Sequence, residues 1–495
     1  MHERGARAGR GVAWAALEQW GTQVLGLLAF LLLSRLLEPA EFGLLAMAGA
    51  VIALLQAIVE QGFADAVVQR RRIGRGHLDA AFWSTVGLGL LAGGLVVSVA
   101  GPIAALFSAP ELAPIVAVLA ATVPITALGS IHHALLRRRI AFRPLAARAL
   151  IANLVGGVVA VTVAVRGGGV WSLVVQALVT AATGTILLWT AVRWRPRLRY
   201  DVRRFRQIGG YAGNVSAANV VNFANRYADD VIIGLALGPI ALGYYTVAYR
   251  LLWSWTRVLA GVASTVAFPA FARLHADLER LRKDFYAAVR VVALISFPLF
   301  VGMALLAPAL IVSVFGEQWS PAAPALRVLC AIGILHSVGY LNTSLLMAAG
   351  KPAWVLRLNL LNGLLNVIAF AIGVRWGIVG VATAYVVRGY LTSPLPLVLL
   401  RRALGLDLKE YARQLSGAAA ACVVMAASVA LVESMIMAGP VGRLLAGTAV
   451  GVLIYLFVVR YFDRKGSEIL RRALQTLRRT PPAREMLSVA AGPGG

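Results

Sequence analysis

Charge is what this sequence has least of: Asp, Glu, Lys and Arg make up 14% of 495 residues, and only 21 are acidic. A soluble chain of this length would need far more polar surface to cover its cores. Cysteine is nearly missing, and Cys330 and Cys422 both fall inside apolar runs, which excludes a disulfide framework or a cysteine metal cluster. The six histidines are scattered; His132 and His133 are adjacent, so on a helix they point about 100° apart and chelate poorly. No metal site or cofactor is expected. There is no Asp-x-Asp pair, no glycine-rich phosphate loop and no connection long enough to hold a soluble catalytic domain. These absences argue against the rival reading of an integral-membrane glycosyltransferase or polymerase, and no enzymatic activity is expected.

What the chain does contain is apolar surface: 60% hydrophobic residues and a mean hydropathy of +0.79. Long apolar runs recur from end to end, the mark of membrane-spanning helices. Hydropathy predicts fourteen, over residues 12–36, 43–65, 80–107, 112–136, 146–165, 170–192, 207–237, 241–267, 287–314, 324–348, 354–374, 378–400, 412–434 and 440–461. The first is too long for a cleaved signal segment and reads as a span. The net charge of +26 invites a nucleic-acid reading, but its distribution argues otherwise. Of 47 Lys and Arg, 38 fall on one set of alternate connections and the termini, against Arg35, Arg166, Arg375 and Arg443 on the other. Basic residues collect in cytoplasmic loops, so both termini are expected in the cytoplasm and no nucleic-acid partner is expected.

The chain also repeats itself. Pro39, Gly43 and Ala48 recur as Pro239, Gly243 and Ala248, an offset of 200. Gly129, Leu135 and Leu136 recur as Gly339, Leu345 and Leu346, and Arg148 and Asn153 as Arg357 and Asn362, at offsets of 210 and 209. Six spans per copy is an even number, so both copies enter the membrane from the same side. The expected organisation is an all-α polytopic membrane protein with two pseudo-symmetric six-helix lobes around a central cavity. They cover residues 1–200 and 201–404, and residues 405–495 carry two accessory helices and a basic cytoplasmic tail.

Five arginines, Arg226, Arg250, Arg257, Arg327 and Arg388, lie inside spans of the second half. Asn219, Asn222, Arg226 and Asp229 share one helix face, with Asn214, Asn225 and Asp230 nearby. Such a stripe faces protein or water rather than lipid, so it makes helix–helix hydrogen bonds or lines a cavity. In the next span Arg250, Trp253 and Arg257 share a face, beside Tyr245 and Tyr249. A guanidinium fork suits a phosphate or diphosphate, while the aromatic residues either stack on sugar rings or belong to the core or interfacial belt. Arg388 is a further anion-site candidate, and Arg327 sits near the periplasmic end. In the first half the intramembrane ionisable residues are acidic: Glu18, then Glu60 and Asp65. Glu18 either binds a coupling proton or sodium ion or snorkels to the interface.

Several stretches carry a family likeness. SRLLEPAEFGLLAMA and EQGFADAVVQRR in the first half, with NFANRYADDVIIGLALGPIALGYYTVAYRLL, FPAFARLHAD and FGEQWSPAAPALRVL in the second, resemble the polysaccharide-exporting branch of the MOP flippase superfamily. The similarity is to Wzx-type flippases of the colanic-acid and exopolysaccharide kind, over about residues 10–400. It implies a V-shaped pair of six-helix lobes moving undecaprenyl-diphosphate-linked oligosaccharides across the bacterial inner membrane, for exopolysaccharide, O-antigen or capsule assembly. Ion-coupled alternating access, with H+ or Na+ as coupling ion, is part of that expectation. So are membrane lipids, a polymerase and a chain-length regulator as partners. Carried over by position, the lipid diphosphate is expected near Arg226, Arg250, Arg257 and Arg388, and the sugars near Asn219, Asn222, Asp229, Tyr249 and Trp253. Glu18, Glu60 and Asp230 are the expected ion-coupling carboxylates. The rival is a MATE-like multidrug or cation antiporter, whose cationic substrates fit the arginines poorly.

Overall fold

The computed structural model describes residues 2–59, 61–70, 72–273, 278–435 and 438–462. All regular secondary structure among them is helical, as lipid demands of a chain that must satisfy its backbone polar groups within each segment. Twelve segments among the described residues are long and apolar enough to cross a membrane. Two contain a break at a glycine of positive φ. Asn225–Arg257 contains Gly238 with φ 79°, and Pro352–Leu404 contains the 3-10 turn Val374–Trp376 followed by Gly377 with φ 70°. The fourteen expected from hydropathy require each of these to be counted twice.

By packing, the chain divides into Met1–Thr246 and Val247–Gly495. In the first unit the Phe142–Val165 helix packs on both Val170–Ala191 and His2–Leu36, and Arg75–Ser98 packs on Thr122–Arg138. The contact that brings the repeated sequence together also lies here. Pro39 opens the Pro39–Val59 helix, and Pro239 reopens helix directly after the Gly238 break. In both places proline occupies a first-turn position whose missing N–H costs nothing. Four residues on, a Cβ added to Gly43 would lie 1.8 Å from the Pro239 carbonyl oxygen, and one added to Gly243 would lie 1.9 Å from that of Pro39. The two copies of the motif therefore cross backbone against backbone, each glycine under the other's proline, a closeness only small residues permit.

Residues 193–201 between the repeats form an extended strap bound along the Arg75–Ser98 helix. Trp83 Nε1 donates to the Arg197 carbonyl at 2.7 Å, the Arg197 N–H donates to Asp79 Oδ1 at 3.3 Å, and the hydroxyls of Ser84 and Tyr200 meet at 3.1 Å. Trp194 packs its ring against Phe82 and His132. Asp79 is only 4% exposed, so the strap holds a carboxylate the core would otherwise reject. Asp79→Ala is expected to remove the strap's acceptor and lower stability by about 1–3 kcal/mol, read as a drop in unfolding temperature of the purified protein.

In the second unit Leu281, Phe285, Val289, Leu341, Leu345 and Leu404 form one core. The expected accessory helices, Leu408–Met435 and Pro440–Phe462, build another against Leu278–Leu305, with Ala418, Cys422, Met425 and Val459 among its buried members. Tyr455 donates its hydroxyl to the Leu294 carbonyl at 2.8 Å. Cys330 and Cys422 are both buried and unbridged.

Candidate functional site

Polar groups inside a membrane protein are informative by where they gather, because each must find a partner or water. In the second unit they gather around an aromatic cluster. Tyr249 and Trp253, one helical turn apart, have ring centroids 6.0 Å apart. Tyr249 also lies 6.5 Å from Tyr385, Trp253 lies 6.1 Å from His336, and His336 lies 5.9 Å from Tyr385, which closes a ring of four side chains from three helices. Arg388 sits over the Tyr385 ring at 5.1 Å and donates from Nη1 to Asn362 Oδ1 at 3.0 Å. These two contacts orient the guanidinium, while its buried Nε has no hydrogen-bond partner. Arg250 and Arg257 lie on the same helix as Tyr249 and Trp253, both exposed, and each in the other's electrostatic field. Two like charges so placed favour an anion they can share.

Of the sequence-predicted residues, Tyr249, Trp253 and Arg388 are thus brought together, with Arg250 and Arg257 on the same helix as the first two. Asn362, His336 and Tyr385 were not singled out by sequence reasoning. For Asn362 a signal existed, since it is the second-copy counterpart of Asn153. His336 and Tyr385 carried none beyond being polar atoms in apolar runs.

The other predicted residues belong to the first unit. Asp229 is only 2% exposed; it accepts the Tyr245 hydroxyl at 3.2 Å and the Asp230 N–H at 3.1 Å, so its carboxylate is engaged within the fold. Arg226 is exposed and lies over the Tyr227 ring at 5.7 Å, and Tyr227 stacks on Phe223. Asn219 is half-buried, and its side-chain nitrogen has no hydrogen-bond partner. The Asn222 side chain and all of Glu60 lie outside the described residues. Glu18 is half-buried within the electrostatic reach of Arg148, and Asp230 is half-buried beside Asp229. Arg327, beyond both groups, donates to the Ala304 carbonyl. Among the described residues no three His, Cys, Asp or Glu side chains are grouped to hold a metal ion.

Residues 32–324, more than half of the sequence, match the family Polysaccharide biosynthesis protein. The chain belongs to that family. Among this family's similar proteins is the lipopolysaccharide biosynthesis protein WzxC of Escherichia coli K12, 28% identical over 81% of this chain and 82% of its own. The teichuronic acid biosynthesis protein TuaB of Bacillus subtilis 168 is 27% identical over 93% of this chain and 97% of its own. The polysaccharide biosynthesis fold also matches the solved structure of the lipid II flippase MurJ, with a TM-score of 0.76 over 92% of this chain and 99% of that one. Identity there is 14%, so the likeness is one of fold.

Proposed function

We propose that this protein is a flippase carrying undecaprenyl-diphosphate-linked oligosaccharide units from the cytoplasmic to the periplasmic leaflet of the bacterial inner membrane, for surface-polysaccharide assembly. The observation that carries this reading is the Tyr249–Trp253–His336–Tyr385 ring with Arg388 fixed beside it, in a chain of the polysaccharide biosynthesis family. Guanidinium groups match phosphate oxygens in pairs, and aromatic faces suit sugar rings. No chemical step is required of the protein, only binding and passage.

In this reading the two sequence copies act as lobes that rock about a central cavity, as parallel-repeat transporters do. Glu18 or Asp230 would carry the coupling proton or sodium ion. The distribution of Lys and Arg supports both termini in the cytoplasm, and a polymerase and chain-length regulator would take the product onward.

The test is genetic. Deleting the gene should abolish surface polysaccharide, and wild-type protein should restore it. The double variant Arg250→Ala/Arg257→Ala, present at wild-type level, should restore about tenfold less, the effect of losing roughly one charge-assisted contact. Lipid-linked units should then accumulate in the inner leaflet. Unchanged polysaccharide after deletion, with raised drug sensitivity, would instead point to a MATE-like antiporter and defeat the proposal.

A further inference from the structure

Arg388 belongs to two features at once. One side of its surroundings is the aromatic ring; the other is a groove of about 650 Å³ between the Pro352–Gly373 and Gly377–Thr392 helices. The helices are pinned together at two levels. At the hairpin end their backbones touch: a Cβ on Gly373 would lie 2.6 Å from the Gly380 carbonyl oxygen, and one on Gly380 would lie 2.3 Å from that of Gly373. Further along, Arg388 and Asn362 bridge them. Between the pins small residues, Ala369 and Ala384, leave a floor that nothing fills, while Ile372 and Leu391 stand exposed at the rims. Apart from Arg388 and two threonine hydroxyls the lining is apolar.

We propose that this groove seats the polyprenyl chain of the lipid-linked substrate while its diphosphate rests on Arg388. The proposal rests on the flippase reading and adds where the lipid, rather than the sugar, is held. Charge position selects the occupant. Arg388 lies eleven residues beyond Gly377, which is about 16 Å along the helix, or roughly half the 30 Å hydrocarbon thickness. A resident phospholipid keeps its phosphate at the interface, so it cannot lay a chain in this groove and also reach Arg388. A substrate caught in transit can, because its phosphates must pass the midplane. Arg388 both lines the groove and lies over the Tyr385 ring, so chain, diphosphate and first sugars would meet groove, guanidinium and rings in that order.

The test uses the full-length protein in lipid nanodiscs with two photoreactive probes: undecaprenyl diphosphate and dioleoyl phosphatidylglycerol, each with a diazirine in its chain. The polyprenyl probe should label residues 365–372 and 379–391, and unlabelled undecaprenyl diphosphate should compete where phosphatidylglycerol does not. Thr383→Trp and Leu391→Trp, both at exposed groove positions, should fill the space without touching the core. Each should lower that labelling about tenfold, equivalent to roughly 1.4 kcal/mol, with unfolding temperature unchanged. Arg388→Ala should weaken the polyprenyl probe and leave the phospholipid probe unaffected. Equal labelling by phosphatidylglycerol, or undiminished labelling of both tryptophan variants, overturns the groove assignment. If those variants also export polysaccharide normally, the flippase reading stands without it. If the wild type retains no polyprenyl probe at any position beyond the phospholipid background, both fall together.

Discussion

Alanine at Gly43 is expected to destabilise the protein by about 1–3 kcal/mol, the range for overpacking a filled contact, and Gly243→Ala should do the same. The obstacle in each case is backbone. A Cβ at position 43 would sit 1.8, 2.5 and 2.9 Å from the O, C and Cα of Pro239, atoms that cannot rotate aside as a side-chain end can. The helices would have to part by more than an ångström along their whole crossing. Because both clashes are relieved by the same parting, the double variant should lose less than the sum of the singles, by roughly 0.5–3 kcal/mol of coupling. Gly49→Ala, in the same helix with nothing near its Cβ position, should be neutral or stabilising by up to about 1 kcal/mol. Unfolding temperatures and accumulation of the four variants decide the matter. Strict additivity of the two singles would show that the clashes are relieved separately and that the crossing is not one shared contact.

Arg388→Ala is expected to reduce polysaccharide export about 10- to 100-fold at equal protein level, the effect of losing one charge-assisted hydrogen bond of about 1.5–3 kcal/mol. Arg388→Lys should fall between the two, since an ammonium keeps the charge but not the planar fork. Asn362 acts through the arginine, holding Nη1 at 3.0 Å, so it is a positioning residue. Asn362→Ala should therefore raise the substrate level needed for half-maximal export more than it lowers the maximal rate. A merely structural role would instead show as lost protein with normal concentration dependence. Export at the wild-type rate by Arg388→Ala would remove Arg388 from the substrate path.

Much of this was legible in the sequence, and the reasons differ from residue to residue. The apolar runs announce the helices because lipid permits little else. Pro39/Gly43 and Pro239/Gly243 announced themselves as a repeat, although only the fold shows that the two copies touch each other. Tyr249, Trp253 and Arg388 stood out because a charge or an amphipathic ring inside a span needs a reason. The polar face of Asn219, Asn222, Arg226 and Asp229 is one stripe in sequence but not one environment. Tyr245, nineteen residues beyond Arg226 in the chain, turns back and engages Asp229 within the fold. Helical periodicity cannot foresee such a partner, because it treats each helix alone. His336, Tyr385 and Asn362 were missed for the same reason: their significance lies in which helix each one faces. The groove was equally hidden, since Ala369, Gly373, Gly380 and Ala384 read simply as small residues until two helices are laid together.

The strap between the two copies bears on how such a chain can be built. Trp194, Arg197 and Tyr200 are each held to the first unit, so no more than two consecutive residues between them are left as free tether. A short leash costs little further closure entropy, and it removes most of the choices open to whatever follows. The Val202–Arg273 helix thus starts from a point the preceding helices have already set. A chain emerging N-terminus first would have its earlier half in place as a jig before the later half was made. Lengthening the linker by a few glycines should then slow maturation far more than it weakens the finished protein.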